Sequence, residues 1–371
     1  MAEQRDILIV GGGVISVAIA LELAHQGATV TILCRDAAQA ATQAAAGMLA
    51  PQAERISPGP MLELCLQSRA LYPSWIHRLE TLTGLSAGYW ACGILAPRYK
   101  PTKDPKSDWL GREELHALQP GLSAEVAGGY WYPKDAQVDN RALAKALWAA
   151  APALGVEIQT GLMVDTIVHR NGVVTHLQTS LGDWQADHYI VATGAWSHDL
   201  LPIPVFPKKG QMFSVQVLSE AEQFALQNSA EVCTAGFRES LPLQHVLYGE
   251  DVYIVPRQDG RIVIGATSEN VGFAAGNTAI GIESLRQAAS RLYPALRQFP
   301  VQESWWGFRP ATPDDLPILG ESPYRNLTLA VGHYRNGILL APATGRAIAQ
   351  WVLCQSSPLP LDAFHWSRFS D

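Results

Sequence analysis

The residues best suited to chemistry lie in a few short segments scattered along the chain. Near one end, Gly332-His-Tyr-Arg-Asn-Gly337 sets the permanent cation Arg335 beside a glycine and opens an apolar helix at Ile338. The free N–H groups and positive dipole end of such a helix attract an electron-rich group. A guanidinium next to it grips a small carboxylate. A second arginine, Arg309, stands between Phe308 and Pro310, so its stem is covered and its head directed. Two readings are open for it: a substrate-carboxylate clamp, or a structural pair with Asp314 or Asp315. Tyr253 of Tyr-Ile-Val-Pro-Arg257 shares a strand face with Val255, and either donates its hydroxyl to a carboxylate or packs.

Two further segments are built from small residues. Gly11-x-Gly13-x-x-Ser16 follows an apolar run, the arrangement in which a glycine turn brings backbone up to a pyrophosphate at a helix N-terminus. Its third glycine is replaced by Ser16. The acidic residue expected at the end of the next strand, to accept ribose hydroxyls, is also missing. Cys34-Arg35-Asp36 stands there, with Asp36 two positions on as a substitute acceptor. Ala41-Thr-Gln-Ala-Ala-Ala-Gly47 lets backbone approach another body closely, either as the lining of a cofactor or as an alanine-rich surface helix. His188, His198 and His245 are isolated and read as structural. There is no G-x-S-x-G elbow, H-E-x-x-H or phosphate-binding lysine loop. With no protein nucleophile and no metal-ligand set, the hard chemistry falls to a cofactor.

The elements that position these residues alternate. Asp6–Val10 reads as a strand buried on both faces, Val14–His25 as a helix stopped by Gly27, and Ala28–Leu33 as the next strand, a right-handed βαβ unit. Residues 60–83 read as a helix. Strand-like residues appear at Tyr89–Leu95, and Asp139 caps a helix running to Leu154. Short strands follow at 156–159, 164–168 and 173–179, and a buried one at Tyr189–Gly194. From Gly210 to Gly265 alternation dominates, which predicts an antiparallel sheet with one covered face. A helix at about 281–293, a strand at 301–308 and the closing helix complete the pattern. Nucleotide-type pieces at the start, middle and end, with antiparallel sheet between, predict discontinuous domains: 1–83, 139–205 and 305–371 against 84–138 and 206–304.

The bulk composition narrows the function. The 371 residues exceed one ordinary core, and 48% hydrophobic with 16% charged residues fits a folded globular chain. A net charge of −7, with no basic run, argues against nucleic-acid binding. Five scattered cysteines without a C-x-x-C pair suit a reducing compartment. The chain enters a strand within six residues, leaving no room for a signal peptide, and the apolar run 7–20 is too short to span a bilayer. A cytoplasmic protein with no membrane partner is expected.

The motifs AAAGMLAP (44–51), VATGAWS (191–197), YIVPR (253–257), FRPATPD (308–314) and GHYRNGILLAPATG (332–345) carry a resemblance over essentially the whole chain. In this order they resemble the FAD-dependent D-amino-acid oxidase superfamily, nearest its glycine oxidases of thiamine biosynthesis. The resemblance implies a glutathione-reductase-like (Rossmann) FAD domain, α/β in class, with an inserted antiparallel-sheet substrate domain. It implies oxidative deamination of glycine, sarcosine and small D-amino acids by hydride transfer to the flavin, with dioxygen as acceptor. It places the substrate carboxylate on Arg309, Tyr253 and Arg335, with no catalytic residue beyond the flavin. It places FAD against Gly11, Gly13, Val14, Ile15, Cys34, Arg35, Thr42, Gln43, Ala46, Gly47, Met48, Val164, Thr193, Gly194, His333, Arg335, Asn336, Gly337 and Ile338. No cysteine lies in 305–345, where sarcosine oxidases attach their flavin, so FAD is implied to be non-covalent; a homo-oligomer is implied as well. Two alternatives stay open: a dehydrogenase of D-amino acids or N-methylglycine with a non-oxygen acceptor, and a binding protein that has lost FAD.

Overall fold

A computed structural model describes residues 6–102, 108–217, 242–354, 356 and 361–369. Cys233, and with it 218–241 of the second expected domain, lie outside the described residues.

The apolar runs of the βαβ segments assemble into a six-stranded sheet. Its order is Ile318–Glu321, Leu327–Val331, His188–Val191, Asp6–Val10, Thr29–Cys34 and Glu157–Thr160. All neighbours are parallel except the edge pair formed by Ile318–Glu321. Helices Val14–His25, Pro60–Thr83, Asn140–Ala153 and Gly337–Cys354 cover one face, and a three-stranded antiparallel sheet of residues 164–184 covers the other. Burial on both faces explains why these strands read as continuous apolar runs rather than alternating ones.

The helix Gly337–Cys354 meets the length and hydropathy of a membrane span, but 67% of it is buried inside the protein. It crosses Val14–His25 closely enough that a Cβ at Gly345 would press on the Ala18 carbonyl. Pro342 lies inside this helix and supplies no N–H, which frees the carbonyl four residues back. Tyr72 donates its hydroxyl to that Ile338 carbonyl, while Ser68 donates to Leu339 O at 2.6 Å and accepts from the Ala343 N–H at 3.2 Å. Helix Pro60–Thr83 thus braces the start of the C-terminal helix.

The second sheet has eight strands: Val301–Ala311, Phe206–Gln216, Arg261–Gly265, Tyr253–Pro256, Val246–Tyr248, Ile94–Arg98, Gly128–Tyr132 and Trp109–Gly111. It is antiparallel apart from the Val246–Tyr248/Ile94–Arg98 pair. Two expectations are corrected here. The sheet is buried on both faces: Phe213, Val215, Ile254 and Ile264 pack on helix Ala279–Leu292, and Met212, Tyr253, Val255 and Val263 pack with Ala46, Ala50 and Ala53. The alternation of the sequence reported two different apolar environments, not one wet face. The strand expected at 89–95 begins only at Ile94, Trp90 making a single bridge to Gln137. The strand Val301–Ala311 runs across the expected 304/305 boundary and is bonded into the eight-stranded sheet throughout, because its partner Phe206–Gln216 is equally long.

Candidate active site

A long cavity runs from the carboxyl ends of the parallel strands to the inner face of the eight-stranded sheet. Such carboxyl ends are where open α/β sheets bind ligands.

At its first end lies the Gly11–Gly13 loop. Gly11 N–H donates to Leu33 O at 2.9 Å, which draws the loop over the second strand. Gly12 rests on Cys34, and a Cβ at Gly12 would overlap the Cys34 sulfur. Cys34 is buried, and burial pushes its thiol up from the ordinary value. It therefore acts as a packing residue under the glycine loop, with no charge to offer a ribose. Asp36 reaches the cavity wall, but one of its oxygens accepts from Ala38 N–H at 2.9 Å. Ser16 is fully buried and donates to Ala192 O at 3.3 Å, a tether that glycine lacks. Arg35 lies over the Trp196 ring, 4.8 Å from its centroid.

The middle of the cavity is the 42–48 segment. It forms one helical turn, Ala41–Ala44, and then an extended loop. Almost every carbonyl in it is held from outside. Asn140 donates to Thr42 O and Gln43 O, Trp305 to Ala44 O at 3.2 Å, buried Arg257 to Ala46 O at 2.7 Å, and Val138 N–H to Gly47 O at 2.8 Å. A peptide plane carries its N–H opposite its C=O; the Gln43 and Ala45 N–H groups stay in the turn, on Ala40 O at 2.9 Å and Thr42 O at 3.4 Å, while the Gly47 N–H points away from the Arg257 that holds Ala46 O. Gly47 sits at φ +72°, and a Cβ there would overlap the Val138 carbonyl. Thr42 accepts the Val14 N–H at 2.9 Å, tying this segment to the first helix.

At the far end, Arg309 is in contact with Gly210 on the neighbouring strand, where a Cβ would overlap the guanidinium. Its Nη1 donates to Thr267 O at 3.1 Å and Lys209 O at 3.4 Å. The pair with Asp314 or Asp315 does not form; Asp314 binds Arg368 at 2.8 Å. Arg309 has no carboxylate partner among the described residues. Tyr253 stands beside it; burial raises its hydroxyl pKa, and Arg309 and Arg335 oppose that rise. Arg335 lies 3.9 Å from Glu54 and donates to the Tyr248 hydroxyl at 3.4 Å. His333 is buried, its pKa lowered to about 3 by desolvation, so it is neutral, and its ring bonds Thr344 at 3.2 Å. His188, His198 and His245 bond Thr328, Ile203 O and Cys92 O, as structural histidines do.

Of the residues named from the sequence, Gly11, Gly13, Val14, Ile15, Cys34, Arg35, Thr42, Ala46, Gly47, Met48, Val164, Thr193, Gly194, Tyr253, Arg309, His333, Arg335, Gly337 and Ile338 share this one cavity. Gln43 and Asn336 are absent from its wall. The Gln43 carbonyl is held by Asn140 and Arg141, and Asn336 accepts the Leu340 N–H at the helix start. Glu54, Met212 and Phe308 line it and were missed. Glu54 lies only six residues beyond Met48, and a buried acid so near a glycine-rich lining was the available signal.

The comparisons with known proteins agree with this geometry. The chain belongs to the FAD dependent oxidoreductase family, whose profile matches residues 6–351. It is 53% identical to a bifunctional protein ThiO/ThiG of Trichormus variabilis over 98% of this chain, and spans about half (55%) of that relative. It is 34% identical to a glycine oxidase of Geobacillus kaustophilus over 99% of this chain and 98% of that one. The crystal structure of glycine oxidase from that organism superposes with a TM-score of 0.88 at 32% identity, covering 99% of this chain and all of the other. FAD is the cofactor of the family and of this chain. The cavity fits it: Gly11, Gly12 and Gly47 pack against Ala192, Cys34 and Val138 with no room for a Cβ, which keeps bare backbone along the wall of a long cavity. The Gly11–Gly13 loop at a helix N-terminus suits its phosphates, and the helix N-terminus at Gly337 its electron-rich ring.

Proposed function

We propose that the chain oxidises glycine, and related small amino acids such as sarcosine and small D-amino acids, to the imine with release of hydrogen peroxide. The glycine imine would feed thiamine thiazole synthesis. The observation that carries this reading is Arg309, a guanidinium that makes no ion pair among the described residues and lines the cavity end together with Tyr253. The glycine oxidases named above support it.

When bound, FAD supplies a hydride acceptor for the substrate α-carbon and a site at which dioxygen recovers the electrons. The chain's own residues do the rest. Arg309 holds the substrate carboxylate with Nη2 and Nε, because Nη1 is spent on Thr267 and Lys209 carbonyls. Tyr253 adds its hydroxyl; its other neighbour, the Met212 sulfur at 3.7 Å, is a weak acceptor. With the carboxylate fixed at two points, the α-carbon is presented in one orientation. Met212 and Tyr253 line the reacting end and would keep water from it. The N-terminus of Gly337–Cys354 favours negative charge on a group bound against it. Arg35 and the Gly11 loop, with Cys34 packed beneath it, would hold the adenosine and diphosphate, Val164 and 42–48 the middle of the cofactor, and 333–338 its ring.

The test is anaerobic mixing of FAD-loaded protein with glycine, followed by admission of air. Loss of the oxidised-flavin absorbance and peroxide equal to substrate consumed are expected. An unchanged spectrum overturns the reading; bleaching that only an added dye reverses makes the chain a dehydrogenase.

A further inference from the structure

Glu54 is an acid that the mechanism above leaves unused. Its side chain is only 10% exposed, lines the same cavity as Arg309 and Tyr253, and receives no hydrogen bond among the described residues. Its nearest charged neighbour, Arg335 Nε at 3.9 Å, is too far to donate. A buried carboxylate with vacant acceptors is costly unless something fills them.

The chain nevertheless holds this acid firmly. Glu54 N–H donates to Ala50 O at 2.9 Å and Arg55 N–H to Gln52 O at 3.0 Å, closing a tight turn with Arg55 at φ +54°. Ala53 N–H donates at 2.9 Å to buried Asp135, which is paired with Arg69 of helix Pro60–Thr83. Arg69 also donates to Gln52 Oε1 at 2.8 Å. The turn is anchored on its protein side, and its acid faces the cavity. Burial raises the Glu54 carboxyl, Arg335 and then Arg309 lower it, and Asp135 raises it again.

We propose that Glu54 recognises the substrate amine: its carboxylate accepts the amine N–H while Arg309 holds the carboxylate at the other side. The cavity then offers a cation and an anion to the two ends of an amino-acid zwitterion. Arginines alone would accept any small carboxylate; the acid supplies the discrimination against those lacking an amine. The proposal rests on the glycine-oxidising reading and adds the residue that selects for nitrogen.

The experiment compares FAD-loaded wild type, Glu54→Gln and Glu54→Asp in two anaerobic titrations. Acetate binding is read from the perturbation of the flavin spectrum, and glycine from flavin reduction. Loss of a charge-assisted hydrogen bond predicts that Glu54→Gln needs about tenfold or more glycine. Acetate affinity should stay within about twofold, because acetate has no donor for Glu54 to lose. Glu54→Asp should fall between the other two. Equal weakening of glycine and acetate would make Glu54 a brace for Arg335 and overturn the proposal, as would an unchanged glycine requirement. If Glu54→Gln fails to hold FAD, the glycine-to-acetate ratio of Glu54→Asp decides in the same way. A wild type that glycine does not reduce would instead sink the glycine reading itself, so the two failures are distinct.

Discussion

The two ends of the cavity are made by different means. The nucleotide end is built from backbone: the Gly11–Gly13 loop, a helix N-terminus and Cys34 packed beneath, all within 24 positions, 11 to 34. The substrate end is built from side chains: Glu54, Tyr253, Arg309 and Arg335 come from four segments spread over 282 positions, 54 to 335. A backbone site tolerates changes of side chain, which is why Ser16 and Cys34 stand where glycine and an acid are usual. A side-chain site has no such slack, because each group is held by a particular neighbour.

Four perturbations break or sharpen that contrast. Arg309→Ala should raise the apparent KM for glycine by about a hundredfold, the loss of charged hydrogen bonds worth about 1.5–3 kcal/mol. FAD content should stay unchanged; steady-state kinetics with flavin quantitation checks both. Next comes His333, whose folded pKa near 3 lies below the ordinary 6.5. A depressed value means that the unfolded chain takes up the proton first, so stability is present above pH 6.5 and drains away as pH falls toward 3. About 2 kcal/mol should be lost between pH 6.5 and 5, and His333→Asn should lack that slope in melts of the FAD-loaded protein. Gly210→Ala places a methyl on the guanidinium of Arg309 without demanding an unusual φ. It should raise the glycine KM about tenfold and leave FAD binding alone, and titration of both ligands tests it. Arg35→Ala removes the cation over Trp196 at the other end. It should weaken FAD about threefold, the worth of an exposed cation–π contact, with no change in glycine KM. Equal effects of Gly210→Ala on both ligands would erase the distinction between the ends.

How much could be read in advance follows the same divide. The helix at 60–83, the Asp139 cap and the buried strands rest on local period and capping; the structure starts each within a residue of its expected place, though the strand expected at Tyr189–Gly194 ends at Val191. The loop glycines were legible because a turn against a phosphate needs backbone that is both bare and local. Arg309 was left between a clamp and a structural pair, because local sequence cannot say that Arg368 reaches Asp314 from 54 residues away. Glu54 could be flagged by its nearness to Met48 but not placed, because nothing nearby reports that Asp135 and Arg69 pin its turn so that it faces Arg335.

The sequence alone determined that a glycine loop follows the first strand, that an arginine precedes an apolar helix more than three hundred residues later, and that no G-x-S-x-G or H-E-x-x-H motif occurs. These are statements about neighbours a few residues apart, and chain stereochemistry decides them. Tertiary structure alone decided which arginine remains unpaired, which carbonyls of 42–48 are drawn outward, and that an acid joins the substrate end. Those outcomes depend on which distant side chains arrive first at each hydrogen-bonding partner, a competition that only the packed fold resolves.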